Sequence, residues 1–514
     1  MIRLVDRPEQ EHRMQFRPAL AALPLVVAAL VVPGAPASAA PAVSAEEVVS
    51  SSPVRLWMPS KVVADSWGRQ VRANLGVQLI AQNAPFELWS TRADYDSPIV
   101  TEWRTATSRV RLPDGTMNNF RGLNEFLTLT VSDLDGKRVF KDTRRACLAS
   151  WMPQRLSPTA VPLSPYPNYC GFHPFTLGSV QGIPQDYATP LEVNTKLPLA
   201  PGRYLVQASI KPELAAALGV SSTDATATSK LVVPRQPVDG PKGPGHPHPL
   251  EGNGRTAHKP TPRLQPGARP TAQRAGAPAG LLPDLRSLPS FLIELNPKQT
   301  QLRFGATVWN AGSSALVLDG FRNTGDESKM DTFQYFFDTE GEQTGYQRVG
   351  SMTYHSANHD HWHYEDFAEY SLVDADKETV AVSKKISFCL ANTDAVDLTL
   401  PGADWMQGPD DLHSVCGDNG ALSVRQQLSA GHGDTYMQFQ AGQAIAVKDV
   451  PNGTYYLKVN ANPYGRLVES DATNNISYRQ IRLVGRPGQR RVVVPAVGRI
   501  IEPSMGTDMP PLRR

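Results

Sequence analysis

Apolar and polar residues alternate along several stretches of this chain. In Leu127-Thr-Leu-Thr-Val-Ser-Asp-Leu-Asp-Gly-Lys-Arg-Val-Phe140, two β-rich runs flank Asp135-Gly136. A period of two places the apolar side chains on one face of a strand. Asp-Gly between two such runs is a hairpin-turn dipeptide. Pro201-Gly-Arg-Tyr-Leu-Val-Gln-Ala-Ser-Ile210 reads as a strand entering a sandwich. Phe304 to Leu318 reads as strand, Asn-Ala-Gly turn, strand, and Asn452 to Asn460 as a further strand. The latter repeats the Gly202-x-Tyr204 entry as Gly453-x-Tyr455, a spacing common in immunoglobulin-like sandwiches. No long stretch carries helical periodicity. The expected fold is all-β: an N-terminal immunoglobulin-like sandwich and a second β-sandwich on the C-terminal side.

Composition sets the boundaries. With 514 residues the chain has room for two or more domains. Its 45 prolines and 39 glycines favour short strands, many turns and an open linker. Residues 54–235 form the first globular region and 281–485 the second. Between them, 236–280 is rich in Pro, Gly and basic residues, poor in anything that could order it, and reads as a solvated spacer. Its basic excess would also suit contact with acidic wall or matrix polymers. A tail, 486–514, is basic and then proline-rich, and is expected to add an edge strand before fraying.

The N-terminus reads as an export signal over 1–39, followed by a short mature segment, 40–53. Arg3, Arg7, Arg13 and Arg17 precede the apolar run from Ala19 to Val32, and Ala37-Ser-Ala39 fits a small-x-small cleavage site. The run is short for a membrane span, which takes roughly 20 residues, and no later segment is a candidate. The expectation is a secreted protein without a membrane span after cleavage. Lys plus Arg (51) and Asp plus Glu (49) nearly cancel, which removes the electrostatic footprint of a nucleic-acid binder. The four cysteines fall as a local pair in each half, and the simplest connectivity is Cys147–Cys170 and Cys389–Cys416.

The strongest chemical signal is Tyr354-His-Ser-Ala-Asn-His-Asp-His-Trp-His-Tyr-Glu-Asp-Phe-Ala-Glu-Tyr370. Four of the eleven histidines lie within nine residues, and His359, His361 and His363 are spaced two apart. On a strand their imidazoles would share one face. Neutral imidazole suits zinc, copper, iron and nickel. Three such ligands without a fourth leave the open positions that a catalytic metal needs.

Three motifs in this half resemble the lysyl oxidase family, the copper-dependent quinone amine oxidases. The first is His355, then His359-x-His361-x-His363, then Asp366-Phe367 and Tyr370-Ser-Leu372. The second is Lys385-Ile-Ser-Phe-Cys-Leu390, and the third Leu428-Ser-Ala-Gly-His-Gly-Asp-Thr-Tyr436. The resemblance implies that His359, His361 and His363 bind copper, and that Lys385 and Tyr436 join as lysine tyrosylquinone. Alternation sends the neighbouring Lys384 to the opposite face. Burial beside Cu²⁺ would favour the unprotonated amine that must add to the ring. The implied activity is oxidative deamination of a primary amine or a lysine-bearing protein, peptidyl lysine first, with aldehyde, hydrogen peroxide and ammonia as products. Small free amines or polyamines are the alternative substrates. A non-catalytic metal-bearing adhesion module and a zinc hydrolase are the competing readings.

A second ion is suggested near the end. Glu469, Asp471, Asn474 and Asn475 supply oxygen ligands of the type Ca²⁺ prefers. By resemblance the site is completed by Asp284-Leu285, so calcium would pin the first strand of the domain to its last hairpin. The chain departs from the animal pattern at His432 and Gly442, which replace cysteines, and at Glu369, which replaces a histidine. Glu369, His355 and His432 are the candidates for the proton-abstracting base.

Overall fold

The computed structural model describes residues 51–235 and 269–502, apart from 68–69, 151, 172, 192–193, 277, 279, 356–360, 406–415 and 487. The expected export signal, most of the linker and His359 lie outside these residues. Among the described residues nearly all regular structure is strand, with one short helix, Pro212–Ala217. No helix among the described residues is long and apolar enough to cross a membrane.

In the first region, Leu123–Ser132 and Arg138–Ala146 pair antiparallel around the expected turn. The Asp133 carboxylate accepts the backbone N–H groups of Asp135 and Lys137 there, at 3.1 and 2.8 Å. Gly202–Ile210 lies on the other side of Leu123–Ser132, followed by Thr226–Val233. Inward residues such as Phe126, Leu129, Val131, Val206 and Leu231 form the core with Phe86 and Leu88 from a facing strand. The two Gly-x-Tyr strands share a detail. The Tyr204 hydroxyl donates to the Ala200 carbonyl at 2.9 Å, and the Tyr455 hydroxyl to the Pro451 carbonyl at 3.0 Å. Each tyrosine thus staples its strand to the turn four residues upstream.

Three sheets build the second region. A seven-stranded sheet runs in the order Ser387–Phe388, His361–Glu365, Gln343–His355, Lys329–Phe337, Leu316–Arg322, Ser423–Leu428. Its seventh strand, Arg274–Gly276, comes from the end of the expected linker and pairs with Gln343–His355. A second sheet centres on Gln301–Asn310, which pairs with Leu285–Ser287 and with His432–Tyr436. The third runs Thr379–Val382, Ala368–Val373, Gly453–Ala461, Ile476–Val484, Arg491–Val493. The Asn-Ala-Gly turn is therefore a corner between two sheets. The buried Asn310 side chain pins it, donating to Ser314 and Leu428 carbonyls at 2.8 and 3.0 Å. The tail adds its edge strand and then continues in place to Glu502.

The two regions are in direct contact, which a picture of lobes held only by a solvated spacer does not anticipate. Leu177 N–H donates to the Val396 carbonyl at 2.7 Å, and Leu398 N–H to the Gly178 carbonyl at 3.1 Å. A Cβ at Gly178 would sit 2.0 Å from the Asp397 carboxylate, so that side chain would have to move. Phe175 is fully buried among Leu288, Phe291, Trp309, Val396 and Met437 of the second region, worth about 2–3 kcal/mol. His173 is buried beside it, with Nε2 2.9 Å from Thr307 Oγ1. That hydroxyl lies 2.8 Å from Thr435 Oγ1, next to Tyr436. Both expected disulfides, Cys147–Cys170 and Cys389–Cys416, are formed.

Burial drives the His173 imidazole down to about 3, helped by the charge of Arg92. The unfolded chain takes up this proton near 6.5, and the fold refuses it until about 3. Stability is therefore lost as pH falls through that window. Replacing His173 by Gln should flatten the slope of the denaturant midpoint between pH 6.5 and 4 relative to the parent protein. An unchanged slope would contradict neutral burial at this position.

Candidate active site

The His361–Glu365 strand sets out the imidazoles by alternation. Trp362 and Tyr364 turn into the core and are essentially unexposed, so His361 and His363 share the other face. Their ring centroids are 4.7 Å apart, and His363 is buried, with Nδ1 3.5 Å from Ser387 Oγ. Two imidazoles from one face are a donor pair that fits a borderline metal such as copper. Among the described residues no group of three His, Cys, Asp or Glu stands together as a metal site, and the third expected ligand, His359, is outside them.

The Ser383–Phe388 stretch alternates as expected. Ser383, Lys385 and Ser387 are buried, whereas Lys384 and Ile386 are exposed. Lys385 Nζ lies 4.2 Å from the centroid of the Tyr436 ring and 4.7 Å from that of Phe388. It also donates to the Ser387 carbonyl at 3.2 Å. A cation over a desolvated aromatic face gains about 2 kcal/mol, part of the cost of burying the amine. Tyr436 is itself 3% exposed. Its hydroxyl accepts the Cys389 N–H and lies 2.9 Å from the Cys389 carbonyl. Phe388 packs edge-on against Tyr436 at 5.2 Å and against Tyr370 at 5.7 Å.

Two devices tie the lysine and tyrosine stretches to the histidine strand. The Cys389–Cys416 bridge joins the residue that holds the Tyr436 hydroxyl to the residue whose carbonyl accepts the Trp362 N–H at 2.7 Å. Buried Gln426 accepts the Leu390 N–H and donates to the Trp362 carbonyl, at 3.1 and 2.9 Å. Gly442, where the animal pattern has cysteine, adopts φ +83°, and a Cβ there would meet Lys385 Cβ at 2.9 Å. The departure thus coincides with a close approach of backbone to the lysine. Phe388 acts as a ring wall against the rule of alternation, since Ser387 and Phe388 are both buried.

Of the candidate bases, Glu369 and His432 are not brought to this pair. Glu369 lies on the face of Ala368–Val373 opposite Tyr370, whose ring packs on Phe388. His432 is on the tyrosine strand but four residues away, about 13 Å at strand rise. Its Nε2 lies 2.6 Å from the Asp404 carbonyl, and burial pushes its pKa down. Only the backbone of His355 is described.

The oxygen-rich stretch does meet the start of the domain. Leu285 N–H donates to Glu469 at 2.9 Å, and Asn474 bridges Asp284 and Asp471 at 3.0 and 3.1 Å. Glu469 accepts from Asn475 at 2.8 Å, and burial raises its pKa, Asp284 adding to the effect. Asp284 is paired with Arg286 at 2.7 Å. The Asn474 and Asn475 Oδ1 atoms are buried without a hydrogen-bond partner. Unpaired amide oxygens beside carboxylates fit a hard cation.

Comparison with known proteins finds similarity within the second region. The lysyl oxidase family model matches residues 342–491. Human protein-lysine 6-oxidase is 35% identical over 137 residues, 26% of this chain and 29% of that protein. The pig protein-lysine 6-oxidase is 34% identical over 137 residues, which is 48% of its length. Human lysyl oxidase homolog 1 is 35% identical over 136 residues, 25% of this chain and 20% of that protein. The chain therefore spans less than half the length of these relatives, and its first sandwich lies outside the match. Residues 342–491 are thus similar to the lysyl oxidase family, and the rest of the chain lies outside that match.

Proposed function

We propose that the second sandwich, 281–485, is a copper-dependent amine oxidase that builds a quinone from Lys385 and Tyr436 and acts first on peptidyl lysine. The observation that carries this reading is the buried Lys385 amine 4.2 Å from the Tyr436 ring. A lysine–ring bond needs that proximity, and the names of the relatives point to the same substrate class. His359, His361 and His363 would hold the copper. Copper and the quinone, when present, would supply the oxidising power for the cofactor and the electron sink for the amine. The net reaction consumes a primary amine, oxygen and water, and yields aldehyde, ammonia and hydrogen peroxide.

The chain's own residues prepare this chemistry. Cys389 fixes the Tyr436 hydroxyl through its backbone N–H and carbonyl. Phe388 covers the ring edge-on and keeps water from that side. The Ser387 carbonyl aims the Lys385 amine. Export and removal of residues 1–39 belong to the same reading. The first sandwich, 54–235, is then an accessory lobe fused to the enzyme rather than a module on a tether.

Peroxide release from amines and lysine-rich proteins should appear only in copper-loaded protein. Tyr436→Phe and Lys385→Ala should lose at least a thousandfold of it, while Lys384→Ala keeps parent activity to within about twofold, a split set by strand alternation. Equal loss in both lysine variants would contradict the assignment. If Asp284, Leu285, Glu469, Asp471, Asn474 and Asn475 hold calcium, chelation should lower Tm by on the order of 5 °C. Calcium but not magnesium should restore it, and Asn475→Ala should remove the response. A Tm indifferent to chelator would refute the ion.

A further inference from the structure

Where the two sandwiches and the C-terminal tail meet, a pocket of about 240 Å³ opens. Its wall includes Arg92, Arg121 and Arg145 from the first sandwich, His173 from the joining segment, and Arg499 from the tail. Four arginines thus line it, three from the first sandwich and one from the tail. Among the described residues one carboxylate, Glu502, lines the same space, and it is held by Arg479. None of the ion pairs among the described residues includes Arg92, Arg121 or Arg499.

Arg92 is fixed rather than loose. It donates to the Thr176 carbonyl at 2.8 Å and the Pro174 carbonyl at 2.7 Å. Its guanidinium carbon lies 5.2 Å from the Tyr95 ring centroid and 5.3 Å from that of Phe120. Burial lowers its pKa to about 10, so the group is still a cation at neutral pH. A partly desolvated cation without a carboxylate carries an electrostatic cost. An anion in the pocket would remove it. The tail is set in place by Arg499 N–H, which donates to the Tyr95 carbonyl at 2.8 Å. Gly498 makes the approach possible, because a Cβ there would be 2.3 Å from that same carbonyl oxygen.

We propose that this pocket binds a phosphate or sulfate group. Planar guanidinium forks match such oxyanions with paired hydrogen bonds. The volume lies below the roughly 300–1,000 Å³ of pockets that enclose drug-sized ligands. It suits one oxyanion group, free or at the end of a larger molecule. A bound group would bridge Arg92 and Arg121 to Arg499 and so fasten the tail across the sandwich junction. This site is independent of the amine-oxidase reading; of its wall, His173 alone also reaches toward Tyr436, through Thr307 and Thr435.

The test is calorimetric titration of the full mature chain with inorganic phosphate and with sulfate, in chloride buffer of matched ionic strength. Saturable binding with a rise in Tm is expected. Arg499→Ala, a change on the exposed tail, should weaken it about tenfold, and Arg121→Ala with Arg499→Ala should weaken it further. Glycerol 3-phosphate forms the second arm. Tighter binding than inorganic phosphate assigns the site to an esterified group, and weaker binding to the free ion. No saturable heat from any of the three anions, or unchanged affinity in the double variant, would overturn the proposal. A parent-like Tm of Arg499→Ala in chloride alone verifies that lost binding is not lost folding.

Discussion

The second region depends on keeping a lysine amine out of water and against a phenol ring. Neither Lys385 nor Tyr436 gains from this arrangement unaided. A buried amine loses hydration, and the ring repays only part of it. The surrounding structure imposes the contact. Tyr436 stands on a strand paired through its length with Gln301–Asn310, and its hydroxyl is fixed by Cys389. Lys385 is held between the Ser387 carbonyl and the close backbone of Gly442. The Cys389–Cys416 bridge and Gln426 then fasten this pair to the strand that carries His361 and His363. Positions brought together from three stretches of sequence thus depend on one another, which is the condition for pre-organised chemistry.

The first sandwich is part of that support. His173 reaches Thr307, Thr307 reaches Thr435, and Thr435 precedes Tyr436. The backbone bonds from Leu177 and Gly178 hold the segment beside Asp394–Ala395, which itself pairs with the tyrosine strand. Buried contacts of this kind between two lobes resemble a continuous core more than a docking surface. The tail, lying from Arg491–Val493 to Glu502, closes over the same junction.

Much of the site was legible because strand alternation is a local rule. It separated Lys385 from Lys384, put His361 and His363 on one face, and sent Trp362 inward. The Asp135-Gly136 hairpin and the two cysteine pairs were legible for the same reason, since each joins neighbours in sequence. What escaped was non-local. Nothing in the Cys170–Gly178 stretch announces that Phe175 will be buried in the other sandwich, because its partners Phe291 and Trp309 lie more than a hundred residues away. The Asn-Ala-Gly turn was visible, but not that it changes sheets, which Asn310 decides through long-range hydrogen bonds. Arg274–Gly276 sits in a stretch whose composition reads as spacer, yet it finds an edge in Gln343–His355. Glu369 was a reasonable base by type alone; only the sheet shows which way it faces.

The central claim is tested most directly by peptide mass mapping of the copper-loaded protein after exposure to oxygen. The account predicts one cross-linked species joining the peptides that contain Lys385 and Tyr436, with Lys384 unmodified. Two separate, unmodified peptides under those conditions would contradict it.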